Sequence, residues 1–382
     1  MEAFWSKDES PWYARTLEFA SRHLRDSEPA AEAWRNAGAF GLLGLMAPEA
    51  LGGSGLDASA SVQVMEALGQ GCTSLGLPFA FAAHAFACVV PVMEFAEPEL
   101  RDSAVPKLAT GEWVGANAIT ESGAGSDVYA LRTKARRDGD DYLIDGVKSY
   151  VTNGILADVA VVYARSGEAD GYLGISAFLV NLRTAGVHIG PPLRKVGLER
   201  ATICSISFES CRVPARCRLG AEGQGAAIFE RSMGWERACL FGIYVGAMQR
   251  QLDSCVTRAN ERIQGDAPIG SYQAISHRIA DMKLRLEASR LLLRRACWLL
   301  SRGEANVIDI ALAKLAVSEA AVQSGLDTMQ IFGGDAMMLE TGVSVGLLDA
   351  LPSRIFSGTS EIQRNVIASE LGLREPRRRL KR

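Results

Sequence analysis

The chain has 382 residues, with 41 basic against 44 acidic side chains for a net charge of −3, 48% hydrophobic residues and 22% charged ones. That length accommodates two or three domains with sizeable cores, and that balance excludes a disordered chain, a small stapled scaffold and a broadly basic nucleic-acid binder.

The N-terminal stretch MEAFWSKDESPW lacks a basic segment followed by an apolar core, so no secretory signal is expected. Apolar positions three and four apart, as in Arg15 to Leu24 and Ala31 to Leu45, predict a helical domain over 1–113, broken by the Gly-rich PEALGGSGLD (48–57). Pro78 to Met93 contains His84 and two prolines and reads as falling short of the roughly 18 apolar residues that a membrane span needs. The pattern then changes to short runs: YLIDGVKSYVTNG (142–154), DVAVVYAR (158–165), GISAFLVN (174–181) and TICSISFES (202–210). Separated by Gly, Pro and charged turns, they predict a middle antiparallel β domain over 114–222. Helices return at about 226–260, 272–302, 306–331 and 361–371, the pattern of a C-terminal four-helix bundle over 223–373. The fold class is therefore α+β.

Residues 374–382 form a basic tail with six Arg and Lys beside Glu375, leaving 35 basic and 43 acidic residues, a net charge of −8, for residues 1–373. Such a run reads as a solvated terminus, with steering of an acidic carrier protein as its functional alternative. Cysteines 72, 88, 204, 211, 217, 239, 255 and 297 form no CxxC and have no histidines at metal spacing, so they read as reduced, mostly buried thiols. A cytoplasmic protein with no metal, nucleic acid or membrane partner is expected.

Three segments have the composition of binding loops. AITESGAGSD (118–127) packs Thr120, Gly123, Gly125 and Ser126 into one turn, where small residues with free backbone N–H groups can approach a ring or a phosphate closely. Tyr150-Val151-Thr152-Asn153-Gly154 ends a strand, and QIFGG (330–334) and FSGTSEIQR (356–364) precede the last helix, which Thr359 or Ser360 can cap. No GxGxxG follows a strand and no P-loop is present, which disfavours a nicotinamide-binding Rossmann unit and a nucleotide-hydrolysing one.

The ordered segments PEALGGSG, AITESGAGSD, KSYVTNG, LRKVGLERATICSISFESCRVP, RIADMKLRLEASR, QIFGG and GTSEIQR resemble the acyl-CoA dehydrogenase family, from about residue 10 to about 372. The resemblance implies a helical, β, helical-bundle order and an FAD held at the interfaces of a homotetramer or dimer. It also implies an acyl thioester substrate on CoA or a carrier protein, and electron-transfer flavoprotein or a similar acceptor. By position, Asn117, Ile119, Thr120, Gly125 and Ser126 match the segment that contacts the isoalloxazine. Tyr150 and Thr152 match residues laid against the ring, with Tyr150 replacing the usual tryptophan. Arg262, Gln264, Gln273, Gln330, Gly333 and Gly334 match positions that reach a neighbouring subunit's FAD, whereas Thr359, Ser360 and Glu361 match contacts from the same subunit. Ser126, Arg237 and Ser357 match substrate-binding positions.

The reaction needs a base for the α-proton. In many family members a carboxylate precedes the Gly-Thr of the GTS motif, and here that residue is Ser357. In the branch that includes isovaleryl- and long-chain acyl-CoA dehydrogenases, the base stands on an earlier helix immediately before an arginine, a pattern that Glu236-Arg237 reproduces. Glu236 is the expected base, and the backbone N–H of Ser357 a donor to the thioester oxygen. Gly234 replaces an aspartate that commonly contacts the pantetheine arm, leaving room for a carrier-bound substrate; Ala336 and Met337 alter the GG-x-G-aromatic pattern. Two alternatives stand beside the dehydrogenase: a flavin monooxygenase on the same fold, and a non-enzymatic flavin-binding protein.

Overall fold

The computed structural model describes residues 11–24, 29–167 and 171–373; the basic tail lies outside the described residues. Five helices come first: α1 (Pro11–His23), α2 (Ala30–Phe40), α3 (Ala58–Gly71), α4 (Gly76–Phe95) and α5 (Pro98–Thr110). The Gly-rich break falls between α2 and α3, where Asp57 caps α3 by accepting from the Ala60 N–H at 2.8 Å. The helix α4 corrects the sequence expectation for Pro78 to Met93. It is a continuous 20-residue helix long and apolar enough to cross a membrane by length and composition, but 89% of its most apolar window is buried inside the protein. Pro78 sits in its first turn and Pro91 just beyond a π-helical turn at Ala85–Val89, where the shifted hydrogen bonding accommodates a missing N–H.

Eight strands form one sheet: β1 (Gly115–Ala118), β2 (Lys134–Asp138), β3 (Asp141–Thr152), β4 (Val159–Arg165), β5 (Ile175–Asn181), β6 (Val187–Ile189), β7 (Ile203–Pro214) and β8 (Arg218–Leu219). The order is β6-β7-β3-β2-β4-β5-β8, with β1 on β4. Most pairs are antiparallel as expected, but β1–β4 and β2–β4 are parallel, since the β2–β3 hairpin supplies the crossover that a parallel return needs. In β4, Val159, Val161 and Tyr163 face the helical core while Ala160, Val162 and Ala164 face the β domain's own core. A strand buried on both faces reads as an unbroken apolar run, which is why VAVVYA shows no alternation.

The helices α6 (225–240), α7 (Gly242–Glu261), α8 (Gln273–Ser301), α9 (Val307–Phe332), α10 (Val343–Ala350) and α11 (Ser360–Glu370) follow. The last five residues of α6, Glu236–Leu240, form a second π-helical turn that packs on the one in α4, with Phe86 stacked on Trp235 at 6.4 Å between ring centres. Helices α6 to α9 and α11 build the C-terminal bundle, with α10 an added short helix on α9.

Candidate active site

A cavity of about 410 Å³ opens where α4, the β1 turn, the end of β3, α6 and the loop before α11 meet. Its β-side wall is built first. His84, buried in α4, accepts the Gly115 N–H on Nδ1 at 2.8 Å and bonds the Leu108 carbonyl through Nε2 at 3.0 Å, which fixes where β1 begins. Burial lowers its pKa to about 4, so the ring is neutral. Gly115 is required there, because an added Cβ would lie 2.4 Å from the Cys88 Sγ.

After β1 the 118–127 turn is held from within by Glu121. Its carboxylate accepts from the Arg132 N–H at 2.7 Å, the Thr133 N–H at 2.9 Å, the Thr133 hydroxyl at 2.6 Å and the Lys148 ammonium at 2.8 Å. Lys148 also donates to the Ile119 carbonyl at 3.1 Å. Burial pushes the Glu121 carboxyl up, but its four donors overcome this and hold it at about 2; burial pulls fully buried Lys148 down to about 8.

A bulge in β3 supplies the rest of this wall. Between Lys148 and Val151 the register against β7 slips by one residue, Ser149 donates to the Thr120 carbonyl at 2.8 Å, and Tyr150 takes φ +56°. Tyr150 is thereby turned outward, 66% exposed at the cavity's rim. Asn153, at φ +66°, ties the strand end to α4 through a hydrogen bond that its side-chain amide donates to the Ala80 carbonyl at 2.9 Å.

The helical wall carries Phe229, Met233 and Glu236 at spacings of four and three along α6, with Phe79, Ala83 and Ala87 four apart along α4. Phe79 meets Phe356 at 4.7 Å between ring centres, and Phe356 rests on Phe241 and Tyr244, whose hydroxyl donates to the Asp349 carbonyl at 3.1 Å. This aromatic floor contributes Phe79 and Phe356 to the cavity lining. Glu236 is 8% exposed and is the only charged lining residue among the described residues. Burial raises its pKa, and the Ser357 hydroxyl that donates to Oε1, together with the Arg237 charge, offsets part of that rise.

Of the residues expected from sequence, Asn117, Ile119, Thr120, Gly125, Ser126, Tyr150, Thr152, Glu236, Ser357 and Thr359 line this one cavity. Arg237 does not: its Nε donates to the Ser357 carbonyl at 2.7 Å, so it clamps the loop rather than facing the cavity. Arg262, Gln264, Gln273, Gln330, Gly333, Gly334 and Glu361 are exposed and lie outside it. Phe79, Ala83, Ala87, Phe229, Met233 and Ile355 line it without having been singled out, and Asn153 and Phe356 do so as members of named loops that had no role assigned to them. The helical periodicity of Phe229, Met233 and Glu236 was the available signal for two of them.

The β-side wall fits a flavin ring. Asn117 spends its amide N–H on the Ala87 carbonyl at 3.1 Å and leaves a buried, unpartnered Oδ1. Nothing lies within 4 Å of a Cβ added at Gly123 or Gly125, and the Thr120 and Thr152 hydroxyls have no partner among the described residues. An isoalloxazine has an N–H donor and carbonyl acceptors along one edge, the complement of this set. No group of three or more His, Cys, Asp or Glu among the described residues is placed to hold a metal ion, and seven of the eight cysteine thiols are buried.

The acyl-CoA dehydrogenase N-terminal, middle and C-terminal domain families match residues 12–112, 116–211 and 223–372. The chain belongs to the acyl-CoA dehydrogenase family. An L-prolyl-[peptidyl-carrier protein] dehydrogenase of Pseudomonas fluorescens is 48% identical over 344 residues, covering 90% of this acyl-CoA dehydrogenase homologue and 90% of that relative. The solved structure described as PigA with FAD and proline is 41% identical at a TM-score of 0.94, covering 97% of this chain and 99% of that one. That of the prolyl acyl carrier protein oxidase AnaB is 35% identical at 0.93, covering 97% and 100%.

Proposed function

We propose that this chain is an FAD-dependent dehydrogenase that desaturates an acyl thioester, that the acyl group is prolyl or similarly compact, and that a peptidyl carrier protein presents it. The observation that carries the reading is the buried Glu236, the only charged group on the cavity wall among the described residues, across from a wall of unpartnered flavin-compatible groups. The names of the relatives, two prolyl carrier-protein enzymes and a proline complex, support the acyl group and the carrier. The Phe79–Phe356 floor favours a short or cyclic acyl group, and Gly234, where an added Cβ would touch only Ile310 at 3.9 Å, lacks the polar arm contact that free CoA would use.

In this reading Asn117, Thr120 and Thr152 hold the ring edge of the cofactor and Gly125 allows its close approach. Bound FAD supplies the acceptor for the β-hydride. Glu236 takes the α-proton through its carboxylate, made more basic by burial, and the electron pair left at the α-carbon becomes the new double bond. The Ser357 N–H, which has no partner among the described residues, donates to the thioester oxygen as charge develops there.

Arg262, Gln264, Gln273 and Gln330 to Gly334 would serve the cavity of a second copy. They lie outside their own chain's cavity, near in sequence to the exposed apolar residues Ile263, Met337, Met338 and Leu339. Loss of FAD when the oligomer is diluted apart would support this, and a monomer with full FAD would contradict it. The function itself is tested by anaerobic mixing of the flavoprotein with prolyl thioesters on carrier protein and on CoA. Bleaching of the flavin with carrier preferred is the expected result; no bleaching with either refutes the reading. Reoxidation of the bleached enzyme by air or by electron-transfer flavoprotein then identifies the acceptor.

A further inference from the structure

We propose that Ser357 is a positioning residue for the base, its hydroxyl donating to the Glu236 carboxylate from a turn built to keep that donor in place. The inference rests on Glu236 being the base. Ser357 stands at φ +53°, a conformation disfavoured for any residue with a Cβ, and Gly358 follows at φ +87°. Two left-handed residues in a row reverse the chain, and Ser357 lines the cavity with its hydroxyl on Glu236 while its carbonyl accepts from Arg237.

The carbonyls are gripped from behind. Arg237 Nε donates to the Ser357 carbonyl at 2.7 Å, and Gln363 Nε2 donates to the Gly358 carbonyl at 3.1 Å. Thr359 then caps α11, accepting from the Ile362 N–H at 3.2 Å. Glu236 and Arg237, adjacent on the π-helical turn of α6, thus hold one residue 121 and 120 positions away, Glu236 through the serine's hydroxyl and Arg237 through the serine's carbonyl. A lone buried carboxylate would rotate freely and take up a proton. With Oε1 occupied by the hydroxyl, Oε2, which has no partner among the described residues, remains to accept the α-proton. The serine therefore conserves both the ionised state and the aim of the base.

Other groups set the same balance. The Arg237 charge and Tyr163 of β4 interact with Glu236, while Tyr129, Glu230 and Lys314 interact with Arg237. A substitution at Ser357 changes none of these side chains.

The test uses the FAD-loaded enzyme and the variants Ser357→Ala, Ser357→Gly and Glu236→Gln. Infrared difference spectra against pH, assigned with Glu236→Gln, report where the Glu236 carboxyl protonates without any turnover; the acid limb of flavin reduction reports the same event kinetically. In both serine variants protonation should move up by about one pH unit. Ser357→Gly also relieves the backbone strain, so it is the variant expected to fold most readily. A shift in neither variant, or in only one, overturns the role of the hydroxyl. If instead Glu236→Gln keeps both the acid limb and the wild-type rate, the base itself is misassigned, a failure distinguishable from that of the serine.

Discussion

Two buried glutamates, one on the cavity wall and one behind it, are driven in opposite directions. Glu121, under the 118–127 turn, has four donors, among them the ammonium of Lys148, and is held at about 2. Glu236, on α6, has one hydroxyl, and its pKa rises. Burial penalises both carboxylates, so the number and charge of the donors decides. A fully satisfied carboxylate fixes a backbone and stays ionised near neutral pH, whereas an under-satisfied one retains more affinity for a proton and can do acid-base work.

Exchanging each carboxylate for its amide tests this contrast most strongly. Glu236→Gln should slow flavin reduction by roughly 10²–10⁴-fold while leaving the flavin spectrum intact, and stopped-flow anaerobic mixing measures it. Glu121→Gln, once folded, should reduce its flavin within a few-fold of the wild-type rate; equal losses in both variants would erase the distinction.

Stability should respond the other way round. Removing one partner of the Glu121–Lys148 pair, as in Glu121→Gln or Lys148→Met, should cost about 3–5 kcal/mol in urea unfolding, because the other charge is left buried without compensation. Glu236→Gln should cost little or be stabilising. A Glu121 variant as stable as the wild type would mean that the turn is held by other contacts.

The aromatic floor sharpens the comparison from the substrate side, since it bounds what Glu236 can reach. Phe79→Ala opens that floor and should shift kcat/KM toward acyl groups one or two methylenes longer by about tenfold relative to prolyl. An unchanged preference would place the limit elsewhere.

The smallest effect is in the pH dependence of stability, where the two groups have opposite signs. Glu121 has a folded pKa below its ordinary value of 4.5, so its contribution is present above that value and is lost as pH falls toward about 2. Glu236 has a folded pKa above 4.5, so the folded state binds the extra proton and stability declines as pH rises through that interval. Unfolding curves of Glu121→Gln should therefore lose part of the acid-side slope, and those of Glu236→Gln part of the slope above pH 4.5.

Local pattern carried the order of the domains. Helical spacing, the doubly buried run of β4 and the Gly-rich turn are written in consecutive residues, and so is the oddity of Glu236-Arg237 in an apolar helix. The same kind of reading could not separate Glu121 from Glu236, because what distinguishes them is distant in sequence: Lys148 lies 27 residues from the first and Ser357 lies 121 from the second. It also cast Arg237 as a substrate contact, whereas the fold turns it onto the Ser357 carbonyl, and it passed over Phe79 and Phe356, whose meeting depends on α4 and the α11 loop being brought together. The sequence by itself determined which segments form helices and strands and which residues carry reactive groups. The tertiary structure alone decided which carboxylate is saturated with donors and which is left basic, because a pKa depends on burial and on neighbours supplied by remote parts of the chain.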